Sequence, residues 1–354
     1  MEWLDFRDSS LAINLAIFAA CTAVVWIAGW RISQYADRFA SATGMGHATV
    51  GLVLLAGLTS LPEVAVTLSA AVADTPQLAV NNLLGSIAMQ ITLLALADAL
   101  IGRQALTVVA GNAVVLLEVS MNALLLVLVG LALAVGDVPF LGAGAWTWAL
   151  LGAYLFAIGT VSHASGRELW VARRTKMQEE RAERGQDDAQ APPPESGGRV
   201  KPLVIRLAIG GVAILVAGFL LSRTGEAIAE QTGLGNSFFG AVFVAIATSL
   251  PETSSVVSSM RRRRYEMALA DIFGTNLFNI LLVFAADLLY RGGPALVEAG
   301  RFSLVASLLG ALLAAIYLVG LIERRDRTIA RMGVDSLAVL VCYSGGLYLL
   351  YRLR

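Results

Sequence analysis

Apolar residues run through this chain in blocks of about 20, long enough to cross a bilayer as a helix. Short polar patches separate them, and the blocks lack the alternation expected of barrel strands. This pattern predicts helical spans near residues 11–30, 46–73, 78–101, 112–135 and 142–163. A second set follows near 203–222, 237–260, 267–290, 301–321 and 335–351. Between the sets, residues 164–202 break the pattern. Their first part, SGRELWVARRTKMQEERAERG, has the composition of a charged helix, and QDDAQAPPPESGGRVKP reads as a flexible linker. At 39 residues the segment is short for a folded domain, so no large regulatory module is expected there. The chain thus divides into 1–163, a linker at 164–202, and 203–354.

Composition agrees with a membrane protein: 57% of residues are hydrophobic and 15% charged, against roughly 25% charged in soluble chains. Formal net charge is zero, which removes the basic signature of a nucleic-acid binder. Cys21 and Cys342 fall inside apolar spans and read as small core residues, while His47 and His163 sit at span edges without forming a metal-ligand pattern. The acidic start MEWLDFRDSS points to a retained first span rather than a cleaved signal. Of the 26 Lys and Arg residues, 20 fall on the loops of one face, including Arg261–Arg264 at the end of the seventh span. The positive-inside rule makes that face, with the linker, cytoplasmic and leaves both termini outside.

Two apolar spans carry the same polar word. T-S-L-P-E occurs at Thr59–Glu63 and again at Thr248–Glu252, 189 residues on. At that offset Gly51 meets Gly240, Gly85 meets Gly274 and Asp98 meets Asp287, with 13 identities in the 43 positions of 56–98. Five spans per copy is an odd number, so the second copy enters the membrane upside down. The expected fold is an all-α polytopic membrane protein with ten transmembrane helices as two inverted five-helix repeats, an architecture recurrent among secondary transporters.

Glu63 and Glu252 fall near mid-span, where an ionised carboxylate is expensive and marks a functional site by default. Thr59 and Ser60 lie four and three residues before Glu63, on one helical face. Pro62 lacks an N–H, which frees a carbonyl one turn earlier. Thr248, Ser249 and Pro251 repeat this around Glu252. The second part of each repeat, NNLLGSIAMQ (Asn81–Gln90) and DIFGTNLFN (Asp271–Asn279), adds Ser86, Gln90, Thr275, Asn276 and Asn279 as neutral oxygens. Such residues also serve as hydrogen bonds between helices. Oxygen-only donors suit hard cations such as Na⁺ and Ca²⁺. Asp98 and Asp287 read either as vestibule residues or as span-end charges. Glu118 has no acidic counterpart, since position 307 is Ser, and either pairs locally or carries a proton.

These motifs resemble the cation/calcium exchanger superfamily, most of all its sodium/calcium exchanger branch. The resemblance rests on paired alpha-repeats, here GLTSLPE with NNLLGSIAMQ and IATSLPE with DIFGTNLFN. It implies that Glu63 and Glu252 coordinate calcium and the counter-ion alternately, supported by Thr59, Ser60, Ser86, Thr248, Ser249 and Thr275. It also implies carbonyl ligands from Ala56 and Ala245. The sequence departs from the family pattern in G-S-I-A-M-Q, where Ile87 and Gln90 replace asparagines, and in neutral Asn279, where some members carry aspartate. That leaves two carboxylates in the inferred site.

The expected function is a secondary antiporter, not an enzyme, exchanging Ca²⁺ for Na⁺ across a bacterial plasma membrane. The alternatives are Ca²⁺/H⁺ exchange or another divalent ion, Mn²⁺ or Mg²⁺. An intramembrane hydrolase would need an acid–base pair beside a polypeptide groove, and a channel would need a continuous pore. No cofactor is called for beyond the transported ions. The expected partners are the lipid bilayer and those cations, with no nucleic acid and no obligatory protein partner.

Overall fold

A computed structural model describes residues 6–43, 56–101, 105–109, 113–165, 200–263, 265–324, 328–329 and 331–354. The helices are α1 (Leu11–Thr43), α2 (Ala56–Thr59), α3 (Leu61–Val72), α4 (Pro76–Ile101), α5 (Leu106–Val109), α6 (Ala113–Val135) and α7 (Ala145–Ser165). After the linker come α8 (Val200–Thr232), α9 (Gly235–Phe239), a π-helical turn (Gly240–Val244), α10 (Ala245–Thr248), α11 (Leu250–Arg261), α12 (Tyr265–Leu289), α13 (Ala295–Glu323) and α14 (Val334–Leu353). Among the described residues eight helices are long and apolar enough to cross a membrane, and the bent pair Gly235–Thr248 with Leu250–Arg261 makes a ninth. The predicted second span begins outside the described residues and is represented by α2 and the short α3. The predicted linker also lies almost wholly outside them.

The 189-residue repeat reappears in the element boundaries. Shifting α1 by that offset gives both ends of α8, and shifting α3 gives both ends of α11. The first and sixth spans are longer than their apolar blocks predict: α1 and α8 have 33 residues each. At 1.5 Å per residue each is about 50 Å long, which exceeds a ~30 Å hydrocarbon core and requires tilt or projection. They pack along each other, while α4 runs through the centre, touching α12, α13, α14 and the π-helical turn. Burial follows this layout: 94% of the hydrophobic window of α4 is inside, against 17% for α1. The exposed apolar side chains of the outer helices, such as Trp26, Trp30, Phe156, Ile209 and Val341, form the lipid-facing surface.

The fifth span does not begin at 142. Residues 139–144 form a hairpin of β1 (Pro139–Phe140) and β2 (Ala143–Gly144), and β3 (Thr328–Ile329) pairs with β4 (Met332–Gly333) at the repeat-related place. Leu141 and Gly142 both have positive φ, as a two-residue hairpin turn of the favoured hand requires. These hairpins give Asp98 and Asp287, expected as vestibule residues or span-end charges, a structural part: both lie within the last turn of their helices and are buried. Asp98 is buried and accepts from the backbone N–H of Leu106 (2.6 Å) and of Gly333 (2.6 Å). Asp287 is buried and accepts from Ala295 N–H, from Gly144 N–H (2.5 Å) and from the Thr147 hydroxyl (2.5 Å). Each aspartate therefore binds the hairpin of the other repeat.

Candidate ion-binding site

Both T-S-L-P-E words break a helix. In the first, α2 ends at Thr59, Ser60 has φ −79° and ψ 0°, and α3 restarts with Pro62 and Glu63 in its first turn. In the second, α10 ends at Thr248, Ser249 has φ −83° and ψ 10°, and α11 restarts with Pro251 and Glu252; the two axes differ by 49°. Proline is favoured at a helix start because its missing N–H would be unpaired there. A carboxylate in the first turn gains from the positive end of the new helix. The same five residues thus build a break and supply the acid that faces it.

Close backbone contact holds the breaks in place. A Cβ on Gly29 of α1 would fall 2.7 Å from Pro251, and one on Gly218 of α8 would fall 2.6 Å from Ala65 and 3.2 Å from the Pro62 carbonyl. Each long helix therefore lies against the proline break of the other repeat. Gly85 of α4 is tighter still, since its Cβ would sit 2.1 Å from the Ala241 carbonyl oxygen in the π-helical turn. Only glycine permits that approach.

The second part of the first repeat meets the first part of the second. Asn82, Ser86 and Gln90 lie four residues apart on one face of α4. The Ser86 hydroxyl is 3.3 Å from that of Thr248, Gln90 Nε2 donates to Ser249 Oγ at 3.2 Å, and Thr248 Oγ1 donates to Asn82 Oδ1 at 3.4 Å. On α12 the repeat-related stripe is Asp271, Thr275 and Asn279, and α12 packs against α2 and α3. Asn276 stands one residue off this stripe. It is buried as well, and neither of its side-chain polar atoms has a partner.

Glu63 and Glu252 have no exposed surface, and their carboxylate oxygens make no hydrogen bond of normal geometry. The Thr248 and Ser249 hydroxyls are the side-chain donors that approach Glu63; Thr59 approaches Glu252, which also feels the charges of Glu63 and Asp271. Gln90 Oε1, Thr275 Oγ1 and both polar side-chain atoms of Asn279 are likewise buried without partners. Unpaired buried polar groups are costly, each by about 1–3 kcal/mol and more when charged. Their concentration at two facing helix breaks is the arrangement a desolvated cation would complete. Among the described residues no three acid, histidine or cysteine side chains converge as a metal cluster, so any ion here relies on neutral oxygens beside the glutamate pair.

Several expected residues sit differently from one another. The Ala245 carbonyl accepts from Ser249 N–H (3.1 Å) and from Thr248 Oγ1 (3.3 Å), so it is engaged within its own helix turn. Ala56 opens α2. Glu118 lies on α6 with Asn122 one turn further on; Glu118 Oε2 and both Asn122 side-chain polar atoms are buried without partners. No hydrogen bond joins them to the glutamate pair. Sequence reasoning passed over Asp271, although the repeat carried the signal: it is the acidic counterpart of Asn82.

Comparison with known proteins agrees with this architecture. The solved H⁺/Ca²⁺ exchanger CAX superposes with a TM-score of 0.68 at 15% identity, over 96% of this chain and 85% of that one. The sodium-calcium exchanger NCX_Mj superposes with a TM-score of 0.56 at 18% identity, over 96% and 99%. At these identities the likeness concerns the fold. In sequence, the chain is 28% identical over 163 residues to the putative antiporter CaxA of Alkalimonas amylolytica, 46% of this chain and 49% of that protein. The match therefore spans about half of that relative's length. The inner membrane protein YrbG of Escherichia coli (strain K12) is 26% identical over 267 residues, 74% of this chain and 73% of YrbG. The sodium/calcium exchanger protein family matches residues 13–162 and 202–352, nearly the whole chain on both sides of the linker, and the chain belongs to that family.

Proposed function

We propose that the chain is a secondary-active antiporter in which Glu63 and Glu252 bind a divalent cation, Ca²⁺ foremost, in alternation with Na⁺. The reading rests on one observation above all: two fully buried carboxylates without hydrogen-bond partners, ringed by hydroxyl and amide oxygens. A dication offsets their paired charge, and so do two monovalent ions, which is what exchange at a single site requires. Thr59, Ser60, Thr248, Ser249, Ser86, Thr275, Gln90, Asn276 and Asn279 supply neutral oxygens, with the backbone at Ala56 and Ala245 beside them.

The two halves, 1–163 and 203–354, act as inverted five-helix repeats that expose the pair to each face in turn. The linker 164–202 and the basic turns face the cytoplasm of a bacterial cell, with both termini outside. No cofactor or obligatory protein partner takes part. Proteoliposomes with separately imposed Na⁺ and H⁺ gradients test the reading. Ca²⁺ uptake driven by an outward Na⁺ gradient at constant pH supports it. Uptake driven by the pH gradient alone selects H⁺ as the counter-ion, and no Ca²⁺ movement under either gradient removes the function.

A further inference from the structure

We propose that Asp271 and Glu252 form a second, transient divalent-cation site, one helical turn from the central pair and on the side of Arg261–Arg263. This rests on the antiporter reading and adds a residue that the motifs leave out. Asp271 precedes Thr275 by four residues and Asn279 by eight, on one face of α12. Its repeat partner Asn82 occupies the same register on α4, where it is neutral and accepts from Thr248 Oγ1. The repeat is therefore symmetric in shape and asymmetric in charge: an amide guards one end of the site and a carboxylate the other.

Asp271, Thr275 and Glu252 each carry buried oxygens without partners. Asp271 Oδ2 and Thr275 Oγ1 are buried without partners, Thr275 is 2% exposed, and both Glu252 oxygens are unpartnered at 0% exposure. Asp271 is within Coulombic reach of Glu252, and the Ser255 hydroxyl approaches it from α11, one turn beyond Glu252. Among the described residues no three acids converge on one point, and none forms an ion pair with Asp271. Asp271 is thus a neighbouring station rather than a third ligand of the central pair. It is also partly exposed where Glu63 and Glu252 are closed. The sequence of oxygens runs from a half-buried aspartate, past Ser255 and Thr275, to the pair.

The direction follows from the chain. Beyond Ser255, α11 ends at Arg261, exposed Arg262 and Arg263 follow, and α12 starts at Tyr265 and reaches Asp271 within two turns. A dication approaching from that basic face meets Asp271 first, and its carboxylate offsets the local positive field.

Initial rates of Ca²⁺ transport by Asp271→Asn, in right-side-out and everted membrane vesicles, test this. The substitution installs the amide that the other repeat carries at Asn82. The apparent KM for Ca²⁺ should rise about tenfold from the face bearing Arg261–Arg263, located by thiol labelling of a cysteine placed there, and change less than about twofold from the other. Ser255→Ala should give a smaller shift on the same face, and Asn82→Asp should lower KM on the opposite face. Equal shifts on both faces, or none in any of the three variants, overturn the proposal. Wild-type vesicles in the same assay separate the two readings: wild-type Ca²⁺ flux with an unchanged Asp271→Asn variant defeats this inference alone, whereas absence of wild-type flux defeats the antiporter reading itself.

Discussion

Ser86 and Thr248, 162 residues apart in the chain, bring their hydroxyl oxygens within 3.3 Å of each other. One residue belongs to the second part of the first repeat and the other to the first part of the second. The contact shows how the repeats assemble. The Glu252 motif is completed by a polar helix from the other half, as Gln90 with Ser249 also shows, and α12 of the second half packs against the α3 that carries Glu63. A site built this way exists only when the halves are docked, and any relative movement of the halves reshapes it.

The tightest point of that docking is Gly85 against the Ala241 carbonyl. Gly85→Ala should force α4 away from the π-helical turn, lowering stability by about 1–3 kcal/mol, the usual cost of overpacking. Thermal unfolding in detergent measures it. Gly152→Ala, where an added Cβ meets nothing within 4 Å, serves as the control and should leave the midpoint unchanged.

Asp98 and Asp287 should behave as structural clasps. Each uses both carboxylate oxygens for N–H groups, and asparagine would turn an NH₂ toward one of them. Asp98→Asn and Asp287→Asn should each lower stability by about 1–3 kcal/mol, read as a drop in unfolding midpoint. An unchanged midpoint with transport lost would instead assign them to the ion path.

Much of this was legible in the sequence. Glutamate, proline and two hydroxyls inside apolar spans stand out because each is costly there, and their recurrence at one offset fixed the pairing of the repeats. The partners of Asp98 and Asp287 were not legible. They include backbone N–H groups on hairpins 235 and 143 residues distant, and nothing in a side-chain pattern marks those. Two-residue strands such as Pro139–Phe140 are likewise too short for periodicity to reveal. Helices α1 and α8 outrun their apolar blocks because helix continues into polar sequence, through Arg31 to Thr43 and through Arg223 to Thr232. Near the C-terminal end of α8, Glu226 is held by Arg7 and Arg223, which lets charge sit on a packed helix. Asp271 was visible as a letter, but its meaning depends on its proximity to Glu252, which only the fold supplies.

Charge balance at the centre predicts the stoichiometry. With Asn279 neutral and Asp271 a turn away, Glu63 and Glu252 supply two negative charges when both are ionised, matched by one dication or two monovalent ions. A third monovalent ion would leave uncompensated charge in a low-dielectric site, at a penalty of several kcal/mol. Exchange should therefore approach two monovalent ions per dication and respond weakly to voltage. Liposomes clamped with K⁺ and valinomycin measure it. A reversal potential fitting three monovalent ions would bring Asp271 or Glu118 into the central count.

The most direct measurement of the central claim is radiolabelled Ca²⁺ flux by purified wild-type, Glu63→Gln and Glu252→Gln proteins in matched liposomes, with thermal unfolding to confirm that each is folded. Glutamine keeps the size of the side chain and removes the charge that offsets the dehydration of a dication. The account predicts robust flux for the wild type and flux at the level of empty liposomes for both variants, with unfolding midpoints no lower than the wild-type value. Substantial Ca²⁺ flux by either folded variant would contradict it.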